Sequence, residues 1–224
     1  MHYQNKKESW DTVWHRKDLF TRIIDAGREF YNIFFRRLLM RHLTPESEMI
    51  ELGCGSSTLS LSIAKNITRF TGIDNSPEAL ALSEKYASAK NLNNVSFVYG
   101  DILSLPDELK NKFDLVWSQG LMEHFSDYLP VVRAHYEAAK PGGTVLLSVP
   151  YQYSYIYPWY LLTRNKILAR FWPYIEQRFL TLRELRELGK QVSKNYKAYF
   201  LKPTIAGILL GIVILEIKKE GAKG

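Results

Sequence analysis

Met49-Ile50-Glu51-Leu52-Gly53-Cys54-Gly55-Ser56-Ser57-Thr58 decides the fold of this chain. It reads as a short apolar strand, a glycine-rich turn and the start of a helix. Gly53 and Gly55 let the backbone turn sharply and approach a ligand with no Cβ in the way. Parallel sheets place ligands at the carboxyl ends of their strands, which is where this turn sits. Gly-x-Gly alone also fits a purely structural turn. A dinucleotide site would want a third glycine beneath the pyrophosphate, and position 58 is Thr. No phosphate-binding lysine follows the glycines either, since Ser56-Ser57-Thr58 come directly after them.

Outward from the turn, short apolar runs alternate with amphipathic stretches from Glu48 to Pro150. The runs are Met49–Leu52, Phe70–Ile73, Val95–Tyr99, Phe113–Trp117 and Thr144–Val149. Helices are predicted between them at Thr58–Lys65, Pro77–Ala89 and Asp127–Ala139. Asn75-Ser76-Pro77-Glu78 combines a capping side chain with a first-turn proline, a strong helix start. This alternation predicts a parallel sheet with helices on both faces. Ala139-Lys140-Pro141-Gly142-Gly143 reads as a tight turn into the fifth strand.

Two acids stand at successive strand ends. Asp74 closes Phe70-Thr71-Gly72-Ile73-Asp74, roughly twenty residues after the glycines, the usual place for an acceptor of ribose hydroxyls. Asp101 closes Val98-Tyr99-Gly100-Asp101, where a carboxylate can take a hydrogen bond from an adenine amino group and Ile102 adds apolar cover. Either acid alone fits a helix cap. Both in succession after Gly-x-Gly point to a nucleoside. The fourth run continues into Ser118-Gln119-Gly120-Leu121-Met122-Glu123-His124-Phe125, polar residues at the same sheet edge.

In order and spacing, residues 48–150 resemble the class I S-adenosylmethionine-dependent methyltransferases, particularly the branch of quinone and small-molecule enzymes. Glu51-Leu52-Gly53-Cys54-Gly55 matches that family's first motif, Asp74 its ribose-binding acid and Asp101 its adenine-side acid. Asp114 opens the fourth-strand motif, and Lys140-Pro141-Gly142-Gly143 matches the turn before strand five. The resemblance implies a Rossmann-like, mostly parallel seven-stranded sheet with an antiparallel last strand. It implies S-adenosyl-L-methionine as cofactor. Gly53, Cys54 and Gly55 would line the methionine part with Glu51 supporting the loop. Asp74 with Asn75 would hold the ribose, Asp101 with Ile102 the adenine, and Gln119 with Gly120 would lie beside the sulfonium. Cys54 sits where the family often has cysteine, a packing position.

Methyl transfer from a sulfonium is an in-line displacement, and orientation can account for about 7–11 kcal/mol of its barrier reduction. His124 is the candidate general base, by its place after strand four and its ordinary pKa; shaping the loop through a hydrogen bond is the alternative. Glu123 reads as a solvated neighbour or a helix-start charge, and His135 as a surface or packing residue. Gln119-Gly120-Leu121 stands where amide and base N-methyltransferases carry Asp/Asn-Pro-Pro-Tyr/Phe. The single Cys, in the glycine loop, argues against a cysteine nucleophile and excludes a disulfide framework. No His/Asp/Glu grouping has metal-ligand spacing.

The flanks carry the substrate. Residues 10–43 look helical, with Phe20, Ile23, Ile24, Phe30, Phe34, Leu38 and Leu39 at three- and four-residue steps, ended by Thr44-Pro45. The aromatic-rich segment 151–174 would set four tyrosines on one face if extended; its rings and arginines suit an amphiphilic substrate or an anionic membrane surface, and packing of the segment onto the body is the alternative. Thr181-Leu182-Arg183-Glu184-Leu185 starts a helix with a capping box. Tyr196–Leu201 and Gly207–Ile217 are expected closing strands, since an apolar run this short fits a buried strand better than a membrane span.

A single domain follows from 224 residues. It divides into a helical cap at 1–47, a cofactor core at 48–150, an insertion or lid at 151–190 and closing strands at 191–224. The expected activity is methylation of oxygen, nitrogen or carbon on a small apolar or amphiphilic molecule, in the cytoplasm, since residues 1–8 lack a signal-peptide core. A net charge of +7 keeps RNA methylation as an alternative, although no nucleic-acid-binding module is visible. A cofactor-binding scaffold that transfers nothing is the non-enzyme alternative.

Overall fold

The computed structural model describes residues 31–154, 157, 161, 178–201 and 211–221. Readings for residues 1–30, for most of 155–177 and for 202–210 lie outside the described residues. Seven strands form one sheet: β1 Glu48–Leu52, β2 Arg69–Asp74, β3 Val95–Tyr99, β4 Phe113–Gln119, β5 Ala139–Pro150, β6 Tyr196–Phe200 and β7 Ile212–Lys218. Their spatial order is β3-β2-β1-β4-β5-β7-β6. β1 to β5 pair in parallel, and β7 lies antiparallel to both β5 and β6. The expected Rossmann-like sheet with an antiparallel last strand is the sheet observed.

Helices cover both faces. Residues 31–40 (α1), Thr58–Ile63 (α2) and Pro77–Ala89 (α3) belong to the face where Met49, Phe70, Leu115, Trp117, Leu146 and Ile214 are buried. Leu129–Ala138 (α4) and Leu182–Val192 (α5) cover the other, over Ile50, Leu52, Ile73, Val116, Leu147 and Leu215. A sheet buried on both sides explains why its strands read as continuous apolar runs rather than alternating ones.

Local signals hold where chemistry is local. Ser76 caps α3 by accepting a hydrogen bond from the Ala79 N–H, with Pro77 in the first turn. Thr181 and Glu184 form the reciprocal capping box of α5. Several boundaries move. α2 ends at Ile63 and tightens into a short 3-10 turn at Ala64–Asn66, and α4 begins at Leu129. In α1 the ring packed on Trp117 is Phe35, which the apolar spacing had passed over.

Two readings are corrected. Lys140-Pro141-Gly142-Gly143 is not a turn ahead of β5 but an irregular stretch within it. Phe113 pairs with Ala139 and Leu115 with Thr144, so four residues of β5 lie opposite Asp114. The stretch remains in the ladder because Gly142 N–H and Gly143 C=O bond to Lys219. Asp114 anchors it at the sheet's amino edge, pairing with Lys140 and accepting the Glu48 N–H. Nor do residues 152–154 continue the strand past Tyr151. Residues 152–153 turn, Ser154 N–H bonds to Tyr151 C=O, and Tyr153 is left 70% exposed. Tyr151 instead packs edge-on against Phe200, and Tyr151 and Leu180 bridge the two ends of the aromatic segment.

Candidate active site

The carboxyl ends of β3, β2, β1 and β4 lie side by side, and the chemistry-bearing residues leave the sheet there in that order. Asp101 follows β3, Asp74 ends β2, Gly53 follows β1 and Gly120 follows β4. All four are partly exposed in an otherwise buried neighbourhood, as are Asn75 and Gln119. Parallel pairing alone brings together positions far apart in sequence.

Asp74 organises this edge. Its Oδ2 accepts the Gly55 N–H at 2.8 Å and its Oδ1 the Ser76 N–H at 2.9 Å, joining the glycine turn to the start of α3. Asp101 caps the turn that follows it by accepting the Leu103 N–H at 2.9 Å. A carboxylate has about four lone-pair directions, so an acid that caps in this way can also accept from a ligand. Both acids therefore cap locally and are able to bind a ligand as well. Ile102 is buried beneath the edge, 4% exposed, with Ile73 and Leu105 in the same core cluster.

The glycine turn is held open by its neighbours. Gly53 has φ +64°, and a Cβ there would stand 2.5 Å from a Leu121 methyl. Leu121 thus closes onto the first glycine from the strand-four side. Cys54 is buried, and its sulfur fills the space a Cβ on Gly72 would need, 2.8 Å away. Burial pushes its thiol well above the usual range, with Asp74 and Glu51 adding to the effect. Packing is its role.

Glu51 points away from the edge into the α2 side of the sheet. Its Oε2 accepts from Ser60 Oγ at 2.7 Å, and Ser60 Oγ accepts from Trp117 Nε1 at 3.0 Å, so one chain ties β1, α2 and β4. Burial raises its carboxyl to about 8, tempered by the Ser60 hydrogen bond and reinforced by Asp74. Burial thus favours the protonated form of Glu51, which supports the loop from below.

The Met122–His124 turn closes the edge after β4. His124 is buried, 7% exposed, and its backbone N–H bonds to Leu121 C=O. Glu123, expected to be solvated, is 3% exposed. Gly120 explains the difference: having no side chain, it leaves room for the Glu123 carboxyl, whose Oε1 lies 3.3 Å from where a Cβ would be. His135 is a core residue with Nδ1 2.8 Å from Val131 C=O, and burial lowers its pKa to about 4.

A methyltransferase-domain profile matches residues 43–207, most of the chain, and the chain belongs to that family. It is 33% identical over 101 residues to a ubiquinone biosynthesis O-methyltransferase of Nitrosospira multiformis, covering 45% of this chain and 42% of that protein. The protein of the same name from Acinetobacter baumannii is 30% identical over 101 residues, 45% of this chain and 43% of its own length. The chain thus matches less than half the length of these relatives. The solved Haemonchus contortus phosphoethanolamine N-methyltransferase 2, in complex with S-adenosyl-L-methionine, superposes with a TM-score of 0.64 at 17% identity, over 85% of this chain and 52% of that one. The fold is shared, and the class I methyltransferase resemblance read from the motifs holds.

Proposed function

We propose that the chain uses S-adenosylmethionine to methylate oxygen, nitrogen or carbon of a small apolar or amphiphilic molecule. The observation that carries this reading is the convergence of Gly53, Asp74, Asp101 and Gly120 on one sheet edge. Their donor set suits the cofactor: two acids with acceptor capacity for a ribose and an adenine, and a glycine turn where a side chain has no room. Gly53, Cys54 and Gly55 would follow the methionine part with Glu51 beneath them. Asp74 and Asn75 would take the ribose, Asp101 the adenine over Ile102, and Gln119 with Gly120 would flank the reacting end.

When bound, the cofactor supplies an already activated methyl group. The chain's own residues then have three tasks: to hold that group, align the acceptor and keep water out. An acceptor that carries a proton also needs a base at this edge, and the Met122–His124 turn holds two titratable groups, Glu123 and His124. Among acceptor atoms, oxygen is favoured by the names of the relatives.

The aromatic and basic segment 151–174 would recognise the substrate and touch an anionic membrane surface, from a cytoplasmic enzyme. Among the described residues no helix is long and apolar enough to cross a membrane. Incubation with labelled cofactor and separate metabolite, lipid and RNA fractions tests the reading. Label in the metabolite or lipid fraction is expected. Label in RNA alone moves the function to the nucleic-acid alternative, which the net charge of +7 keeps in view. Cofactor binding with no label anywhere identifies a scaffold, and failure to sediment with anionic liposomes removes the membrane contact.

A further inference from the structure

The Glu123 carboxyl is anomalous. It is enclosed at the end of β4, packed on Gly120, and its Oε2 has no hydrogen-bond partner. Leaving a buried polar group unsatisfied costs about 1–3 kcal/mol. The groups around it do not relieve this. Tyr128 stays neutral, its hydroxyl pushed up to about 12 by burial, and that hydroxyl is itself unpartnered. The Arg178 guanidinium lies over the Tyr128 ring, 5.4 Å from its centroid, while only the Arg178 backbone N–H reaches Glu123, at its carbonyl. Glu184, on α5, is engaged by Thr181. His124 is the next residue in the turn. Among the described residues, Glu123 therefore faces Gly120 without a counter-ion.

We propose that Glu123 is the proton acceptor of the reaction: its orphaned carboxyl beside Gly120 ionises when a sulfonium cofactor binds and takes the acceptor's proton during methyl transfer. This rests on the cofactor reading above, which sets Gly120 beside the sulfonium. The step balances. The acceptor's bond to hydrogen breaks and the proton goes to Oε2, while the electron pair it leaves forms the bond to the methyl carbon. The carbon–sulfur pair stays on sulfur, which becomes a neutral thioether. One carboxylate and one sulfonium charge disappear together, so no net buried charge is created. Burial holds the free carboxyl at about 8, with its own backbone N–H pulling the other way, so the proton is present at neutral pH until a cation arrives.

The test compares two ligands that differ only in the methyl group and its charge, S-adenosylmethionine and S-adenosylhomocysteine. Titration calorimetry at pH 7.5 in phosphate and in Tris counts the protons released by each. An acid near pKa 8 is about three-quarters protonated at pH 7.5, so the sulfonium ligand is expected to release up to about 0.75 proton more than the thioether. The unmodified protein alone gives this readout, so it does not depend on how any variant folds. In Glu123→Gln the difference should vanish while both ligands still bind, and kcat should fall about 10²- to 10⁴-fold with KM little changed. In His124→Gln the difference should persist. Equal proton release by the two ligands in the unmodified protein, or loss of the difference in His124→Gln but not in Glu123→Gln, overturns the proposal and leaves the cofactor reading standing. If the folded protein binds neither ligand, the cofactor reading fails and takes this role of Glu123 with it.

Discussion

Gly53→Ala isolates the glycine turn with one methyl group. At φ +64° an L-residue incurs about 1–2 kcal/mol of left-handed strain. The new Cβ would also stand 2.5, 3.1 and 3.2 Å from three atoms of the Leu121 side chain, so that side chain must move. Overpacking of this kind costs about 1–3 kcal/mol. Together these predict a loss of about 2–5 kcal/mol. For a domain of this size each kcal/mol lowers the Tm by about 2–4 °C, so a fall of about 4–20 °C is expected. Thermal and urea unfolding measure it, and calorimetry with S-adenosylhomocysteine should show affinity reduced at least tenfold. Leu121→Ala removes the collision but not the backbone strain. The Gly53→Ala/Leu121→Ala double variant should therefore lose at least about 1 kcal/mol less than the two single losses added together. Additive losses, or a Gly53→Ala protein with unchanged Tm and affinity, would refute the reasoning.

Glu51 and Asp74 beside the turn, and Gly189 on α5, give three other expectations. Glu51 keeps its proton to about pH 8 when folded, whereas the unfolded side chain releases it above its ordinary value of 4.5. Stability should thus decline as pH rises through that window, and Glu51→Gln, which still accepts from Ser60, should flatten the slope of Tm between pH 5 and 8; parallel slopes would count against a buried neutral acid. Asp74→Ala strands the Gly55 and Ser76 N–H groups, so a Tm loss should accompany at least a tenfold weaker affinity for S-adenosylhomocysteine, and unaltered binding would remove Asp74 from the site. Gly189→Ala lies within α5, where alanine normally gains about 1 kcal/mol, yet its Cβ would meet the Tyr196 ring at 2.7 Å. It should destabilise, and a higher melting temperature would show that the ring yields.

What could be read in advance was the chemistry that a few adjacent residues determine. The Ser76-Pro77 start and the Thr181/Glu184 box depend on neighbours within four positions, and each has the expected form, as does the strand–Gly53-Cys54-Gly55–helix turn. Asp74 and Asp101 were legible because parallel strands must end at a common edge. Glu123 was not. Nothing beside a Glu-His pair indicates burial, since the space it occupies is created by the missing side chain of Gly120. The irregular stretch at 140–143 reads as a turn because Pro-Gly-Gly signals one, while its pairing with Lys219 comes from far along the chain. The tyrosines from 151 alternate like a strand, but the chain turns at 152–153, directly after Tyr151 bridges to Leu180.

The position of β7 between β5 and β6 has a consequence for synthesis. Strands emerge from the ribosome in numerical order, yet among the described residues β6 pairs with the sheet only through Ile212–Lys218, which is made afterwards. Until that segment is released, β5 presents a bare hydrogen-bonding margin and β6 has nowhere to dock. A nascent chain stalled near residue 200 would therefore hold two unpaired strand edges, the state in which a chaperone is most needed.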